Sequence, residues 1–156
     1  EDFEFKSTTL NRKEYFKALK QLSLLDFEFA MVCFLKENLT SPGFQFADSF
    51  FKYSYQFLIG NVLNYTGEVD LIFDEYGGKN SHFQDSFFNY IKEQNTGFPI
   101  NKISQMEMFS SSTEPLIQLA DILGGALKFK LKNKFDLLPL IDDKLIKLEI
   151  FPPYGH

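Results

Sequence analysis

The stretch Glu114-Pro-Leu-Ile-Gln-Leu-Ala-Asp-Ile-Leu-Gly-Gly-Ala-Leu-Lys128 decides how the rest of the chain is read. Pro115 suits the first turn of a helix, where its missing N–H costs nothing. Leu116, Leu119, Ala120, Leu123 and Leu127 recur at helical spacing and predict a single apolar stripe. Asp121 lies off that stripe, with Gln118 three residues before it and Gly125 four after. Gly124 and Gly125 sit mid-helix, where each costs roughly 1 kcal/mol relative to Ala. Close approach of a neighbouring backbone or a ligand is the usual compensation.

Outward from this helix, polar and apolar segments alternate. Asp2 to Lys6 predicts a short strand end, and residues 10–24 a helix with Tyr15, Leu19 and Leu22 inward and Ser7, Thr8 and Thr9 offering N-cap acceptor oxygens. Asp26 to Leu35 reads as a buried strand and Asn38 to Gly43 as a loop. A long helix is expected over 45–65, with Phe46, Phe50, Ser54, Phe57, Leu58, Val62 and Tyr65 on one side and Gly67 ending it. Glu68 to Phe73 is a second buried strand. Asn80-Ser81 caps a third helix with Phe83, Phe87, Tyr90 and Ile91 inward, and Lys102 to Phe109 reads as an edge strand. Beyond the glycine-bearing helix, Asp136 to Glu149 predicts a short strand or turn followed by a small helix, and 151–154 a tail. This order predicts one α/β domain over 1–156, with right-handed crossovers between parallel strands.

Composition narrows the function classes. With 44% hydrophobic and 24% charged residues the chain has the balance of an ordinary soluble globule. Twenty Phe and no Trp read as core filling. The formal charge of −5 argues against a purely charge-driven nucleic-acid binder, yet suits carboxylates gathered around a cation. The lone Cys33 excludes an internal disulfide framework and a cysteine-based zinc site, and reads as a buried small hydrophobe. No apolar stretch reaches the roughly 20 residues of a membrane span, and no signal peptide is evident, so a cytoplasmic protein is expected.

Chemistry has a second candidate position in Val69-Asp-Leu-Ile-Phe-Asp-Glu75. An apolar strand ending in Asp74 presents a carboxylate at the carboxyl end of a sheet strand, the edge where open α/β sheets bind ligands. The structural alternative is that Asp74 only caps the turn. Gly77-Gly78-Lys79, ahead of a helix, could hold an anion through backbone N–H groups but lacks the phosphate-loop spacing. His82 follows closely, with proton relay as one reading and an ordinary surface His as the other. Lys128, Lys130, Lys132 and Lys134 favour the negative end of the key helix, with phosphate contact as the alternative.

The Gln-Leu-Ala-Asp helix resembles the C-terminal helix of a prokaryotic family catalogued as domain of unknown function 3800. The resemblance covers about residues 3–131 and leaves 132–156 as an extension. It implies a ribonuclease H-like mixed sheet flanked by helices, and metal-dependent nuclease chemistry. Asp74 and Asp121 would then be catalytic metal ligands for Mg²⁺ or Mn²⁺, with Glu4 as a third. Glu4-Phe5-Lys6 is similar to the Glu-x-Lys that relatives carry before their first helix. Restriction-type nucleases use the same tripeptide, the acid holding metal and the Lys supporting the attacking water. Gln118, Lys6 and Lys79 would contact a nucleic-acid substrate. Cations held by such carboxylates can activate a water, shield phosphate charge and stabilise the leaving oxygen.

One departure stands out. The family's first strand ends in an Asp-Glu motif, and nothing before Glu4 supplies that acid. The expectation is therefore a chain whose first strands precede Glu1, or a catalytically incomplete ribonuclease H-like scaffold serving as an interaction module.

Overall fold

Asn11 starts the first helix, and does so with both halves of a capping box. Its side chain accepts from the N–H groups of Lys13 and Glu14, while Glu14 accepts from the Asn11 N–H at 2.9 Å. The cap is thus Asn11 rather than the expected Ser7-Thr8-Thr9, because only Asn11 has a Glu three residues on. The computed structural model describes residues 7–75, 81–93 and 97–152. The expected strand at Asp2–Lys6 lies outside them.

Among the described residues are four α-helices and four strands. In order they are α1 (Arg12–Leu22), β1 (Phe29–Phe34), α2 (Ala47–Leu63), β2 (Val69–Asp74), α3 (Ser81–Glu93), β3 (Ile103–Phe109), α4 (Pro115–Leu131) and β4 (Leu145–Phe151). The class is mixed α/β, and the strands pair in parallel as two separate pairs, β1 with β4 and β2 with β3. Matching ends meet in both pairs. Leu35 N–H donates to the Phe151 carbonyl at 2.8 Å, and the Ser104 hydroxyl donates to Glu68 at 2.6 Å. A single mixed sheet was expected; the described strands form two. No described helix is long and apolar enough to cross a membrane.

The chain packs as two compact units, Glu1–Phe29 with Phe109–Lys147, and Ala30–Met108 with Leu148–His156. In the second, α2 is aromatic on two faces, not on the one side expected. Phe51, Tyr55 and Ile59, at helical spacing, join a core with Leu63, Phe73, Phe87 and Ile91, where Ile103, Met106 and Met108 of β3 also pack. The other face, Phe50, Tyr53 and Phe57, meets Phe34 of β1 with ring centroids 5.4–6.2 Å apart. Phe151 of β4 closes this second cluster against Phe34 and Phe57 at 5.7 and 5.2 Å. Two aromatic layers explain most of the Phe excess. Phe46 and Tyr65, assigned inward by periodicity, are 66% and 61% exposed because they flank the helix ends.

Lys102 ends α2 in place of the expected Gly67. Its ammonium donates to the carbonyls of Leu63 and Thr66 at 2.7 and 2.6 Å, answering orphan carbonyls and the negative end of the helix together.

In the first unit, α1 buries Tyr15 and Leu19 completely, and α4 buries Ile117, Ile122, Leu123, Gly125, Ala126 and Leu127. This face is broader than the expected stripe and turned away from it, leaving Leu116 60% exposed. The turn follows from size: Gly125 and Ala126 form a shallow seat, and Tyr15 fills it. The Tyr15 hydroxyl donates to the Ile122 carbonyl. Leu137, Leu138 and Ile141 complete this core, so the segment after α4 is structural. Residues 145–151 are the strand β4, not the expected small helix: Ile146, Leu148 and Ile150 alternate with Lys147 and Glu149, and the segment pairs with β1.

The two mid-helix glycines have different fates. A methyl on Gly125 would overlap the Tyr15 hydroxyl and Ser7, whereas one on Gly124 would meet no described atom within 4 Å. Gly125→Ala is therefore expected to lower stability by about 1–3 kcal/mol through overpacking. Gly124→Ala should raise it by up to about 1 kcal/mol through helix propensity. Urea midpoints of the two variants, moving in opposite directions, check this.

Candidate functional site

Asp121 is fixed by the turn before α1. Its Oδ2 accepts the Ser7 N–H at 2.6 Å and its Oδ1 the Ser7 hydroxyl at 3.1 Å. Ser7 is only 7% exposed and also lies against Gly125, one helical turn after Asp121. The acid and the second glycine of the signature therefore serve one local purpose: they seat the residue-7 turn on α4. Asp121 itself is exposed, and a carboxylate has about four acceptor positions, so two donated hydrogen bonds leave capacity for a cation.

Gln118 is anchored on the same helix, where its side-chain amide donates to the Ser111 carbonyl at 2.7 Å. That bond ties the helix to its own leading turn. The turn is organised by the Thr113 N–H and hydroxyl, which both donate to the Ser110 carbonyl, and Glu114 caps the helix by accepting from Leu116 N–H. The expected substrate contact of Gln118 has this structural bond beside it.

Asp74 is the last residue of β2, exposed at the carboxyl end of the strand as its position in the sequence requires. Its neighbour in charge is Tyr55 of α2, whose hydroxyl pKa is raised, first by burial and then by the Asp74 carboxylate. Glu4, Lys6 and Lys79 lie outside the described residues, so Asp74, Asp121 and Gln118 are the expected site residues whose places are described. Asp74 and Asp121 belong to different units, and each is fixed by its own surroundings. Among the described residues no three His, Cys, Asp or Glu side chains gather as a metal-holding group. The donors at Asp74 and Asp121 are hard carboxylate oxygens, the type that Mg²⁺ and Mn²⁺ prefer.

His82 is exposed in the first turn of α3. Cys33 is half-buried in β1 rather than enclosed, and burial, then the charge of Glu37, raises its thiol pKa. Among the lysines closing α4, Lys130 pairs with Asp136 at 2.9 Å and Lys134 lies over the Phe129 ring.

Ser7 and the Tyr15 hydroxyl are the polar groups that sequence reading missed at this helix. The available signal was the Asp121-to-Gly125 spacing, which puts an acceptor and a bare backbone one turn apart on one face. Burial, and secondarily the charge of Asp121, raise the Tyr15 pKa above its ordinary 10.0. The fold therefore favours the neutral hydroxyl. Its contribution is whole below about pH 10 and is lost as pH rises beyond that value towards the folded-state pKa. Between about pH 9 and about pH 11 the urea midpoint of the wild type should fall further than that of Tyr15→Phe, and equal falls would contradict the assignment.

No protein-family model, curated protein or solved structure matches this chain.

Proposed function

We propose that the chain is a Mg²⁺- or Mn²⁺-dependent phosphodiester hydrolase of ribonuclease H-like type acting on nucleic acid. The observation that carries this reading is the exposed carboxylate of Asp74 at the carboxyl end of a parallel strand. Asp74 and Asp121 would hold the metal, with Glu4 as third acid. Bound there, a divalent cation would activate water and shield phosphate charge. Gln118, Lys6 and Lys79 would contact the substrate.

A second reading rests on its own observation. Both Asp121 oxygens accept from Ser7, which gives the acid a structural purpose without any metal. On that reading the chain is a ribonuclease H-like scaffold serving protein interaction.

Cleavage of RNA, DNA and hybrid substrates with Mg²⁺ or Mn²⁺ separates the two. On the hydrolase reading Asp74→Asn should lose at least about 100-fold in rate at unchanged melting temperature. Ser7→Ala, which removes one bond to Asp121 but no carboxylate, should lose stability by about 1 kcal/mol while keeping most of the activity. A wild type that cleaves none of the substrates, or an Asp74→Asn protein as active as wild type, overturns the hydrolase reading.

A further inference from the structure

Charge is distributed unevenly between the two units. Lys and Arg equal Asp and Glu in number over 1–29 and 109–147, so the formal −5 resides entirely in 30–108 and 148–156. Within the balanced unit the cations are not evenly spread either. α4 ends in a Schellman turn: Asn133 takes the left-handed conformation at φ 52°, Asn133 N–H donates to Lys130 O, and Lys134 N–H donates to Phe129 O at 3.0 Å. The turn brings Lys130, Lys132 and Lys134 into one reversal of the chain, just before Phe135.

Arg12 joins them from α1. Its guanidinium lies 5.9 Å from the Phe135 ring centroid, and the Lys134 ammonium lies 5.6 Å from that of Phe129. The two rings are themselves 4.6 Å apart, and Tyr15 packs edge-on against Phe129. A cation at Arg12 opposes the positive end of the α1 dipole, with Lys13 beside it, so helix stability does not account for its presence. Asp136 pairs with Lys130 on this surface at 2.9 Å. Stacking on rings holds Arg12 and Lys134 in place before any partner arrives, which lowers the ordering cost of binding.

We infer that Arg12, Lys130, Lys132 and Lys134, arranged around the Phe129–Phe135 pair, form a contact surface for the phosphate backbone of a nucleic acid. The surface deepens the hydrolase reading by naming where its polymer is held, and in that sense rests on it. The contact is electrostatic and sequence-independent, because the cations reach phosphates and no base-reading pocket is involved.

Fluorescence anisotropy of a labelled oligo-dT across a salt series, in EDTA, tests binding separately from cleavage. The wild type should bind with an affinity that falls as salt rises. Arg12→Gln/Lys134→Gln keeps long stems on both rings but removes two charges. It should bind about tenfold more weakly, with the log–log salt slope shallower by about 1.4. Lys36→Gln/Lys92→Gln in the other unit, with the same loss of charge, should bind like the wild type. Asp136→Asn should bind more tightly, which keeps the test decisive if the double variant folds poorly. No binding by the wild type, equal losses in both double variants, or binding to heparin without oligo-dT each overturns the inference. Metal-dependent cleavage that persists in any of these cases leaves the hydrolase reading standing.

Discussion

The first unit depends on the entry of one hydroxyl into a helix backbone. Tyr15, fully buried, reaches the Ile122 carbonyl of α4, and it can do so because Gly125 presents no side chain. A buried phenol without partners would cost a few kcal/mol; here the hydroxyl donates to a helix carbonyl. The same bare patch admits Ser7, and Asp121 takes both Ser7 donors one turn earlier. The start of α1 and the middle of α4 are thereby fixed to each other through small residues and hydrogen bonds, with Leu19, Ile122 and Ile141 filling in the apolar remainder.

That arrangement changes the meaning of the signature. Asp121 and Gly125 have a structural explanation within their own unit, while Gly124 has no described neighbour that requires it. A metal role for Asp121 would be added to the Ser7 clasp and would not replace it, because the carboxylate retains acceptor capacity. Asp74 differs. It stands exposed at a strand end, where its charge adds to burial in raising the Tyr55 pKa. The net acidity also divides: it belongs to the unit of Asp74, while the cations cluster at the end of α4 in the unit of Asp121. A whole-chain charge of −5 therefore says little about either surface.

Periodicity made α1, α2, α3 and α4 legible, along with β1, β2 and β3, each within a few residues of its bounds. It failed where distant partners decide. β4 was read as a helix although Ile146, Leu148 and Ile150 alternate with Lys147 and Glu149 as in a strand, and its partner β1 lies more than a hundred residues earlier. The inward face of α4 was misjudged because apolar spacing ranks leucines above glycine and alanine, whereas Tyr15 selects the smallest residues. The α2 helix was given one face because each of its two aromatic rows alone looks like a complete stripe. Among the site residues, the place of Asp74 at a strand end was legible. The Ser7 partner of Asp121 was not, since that bond joins residues 114 apart.

The central claim is that Gly125 is present to admit Tyr15 and its hydroxyl. A double-mutant cycle of Tyr15→Phe and Gly125→Ala, read by urea denaturation, tests it most directly. Removing the hydroxyl removes part of the overlap that the new methyl creates, so the Gly125→Ala loss should shrink by about 1 kcal/mol or more in the Tyr15→Phe background. Additivity within about 0.5 kcal/mol would contradict the account.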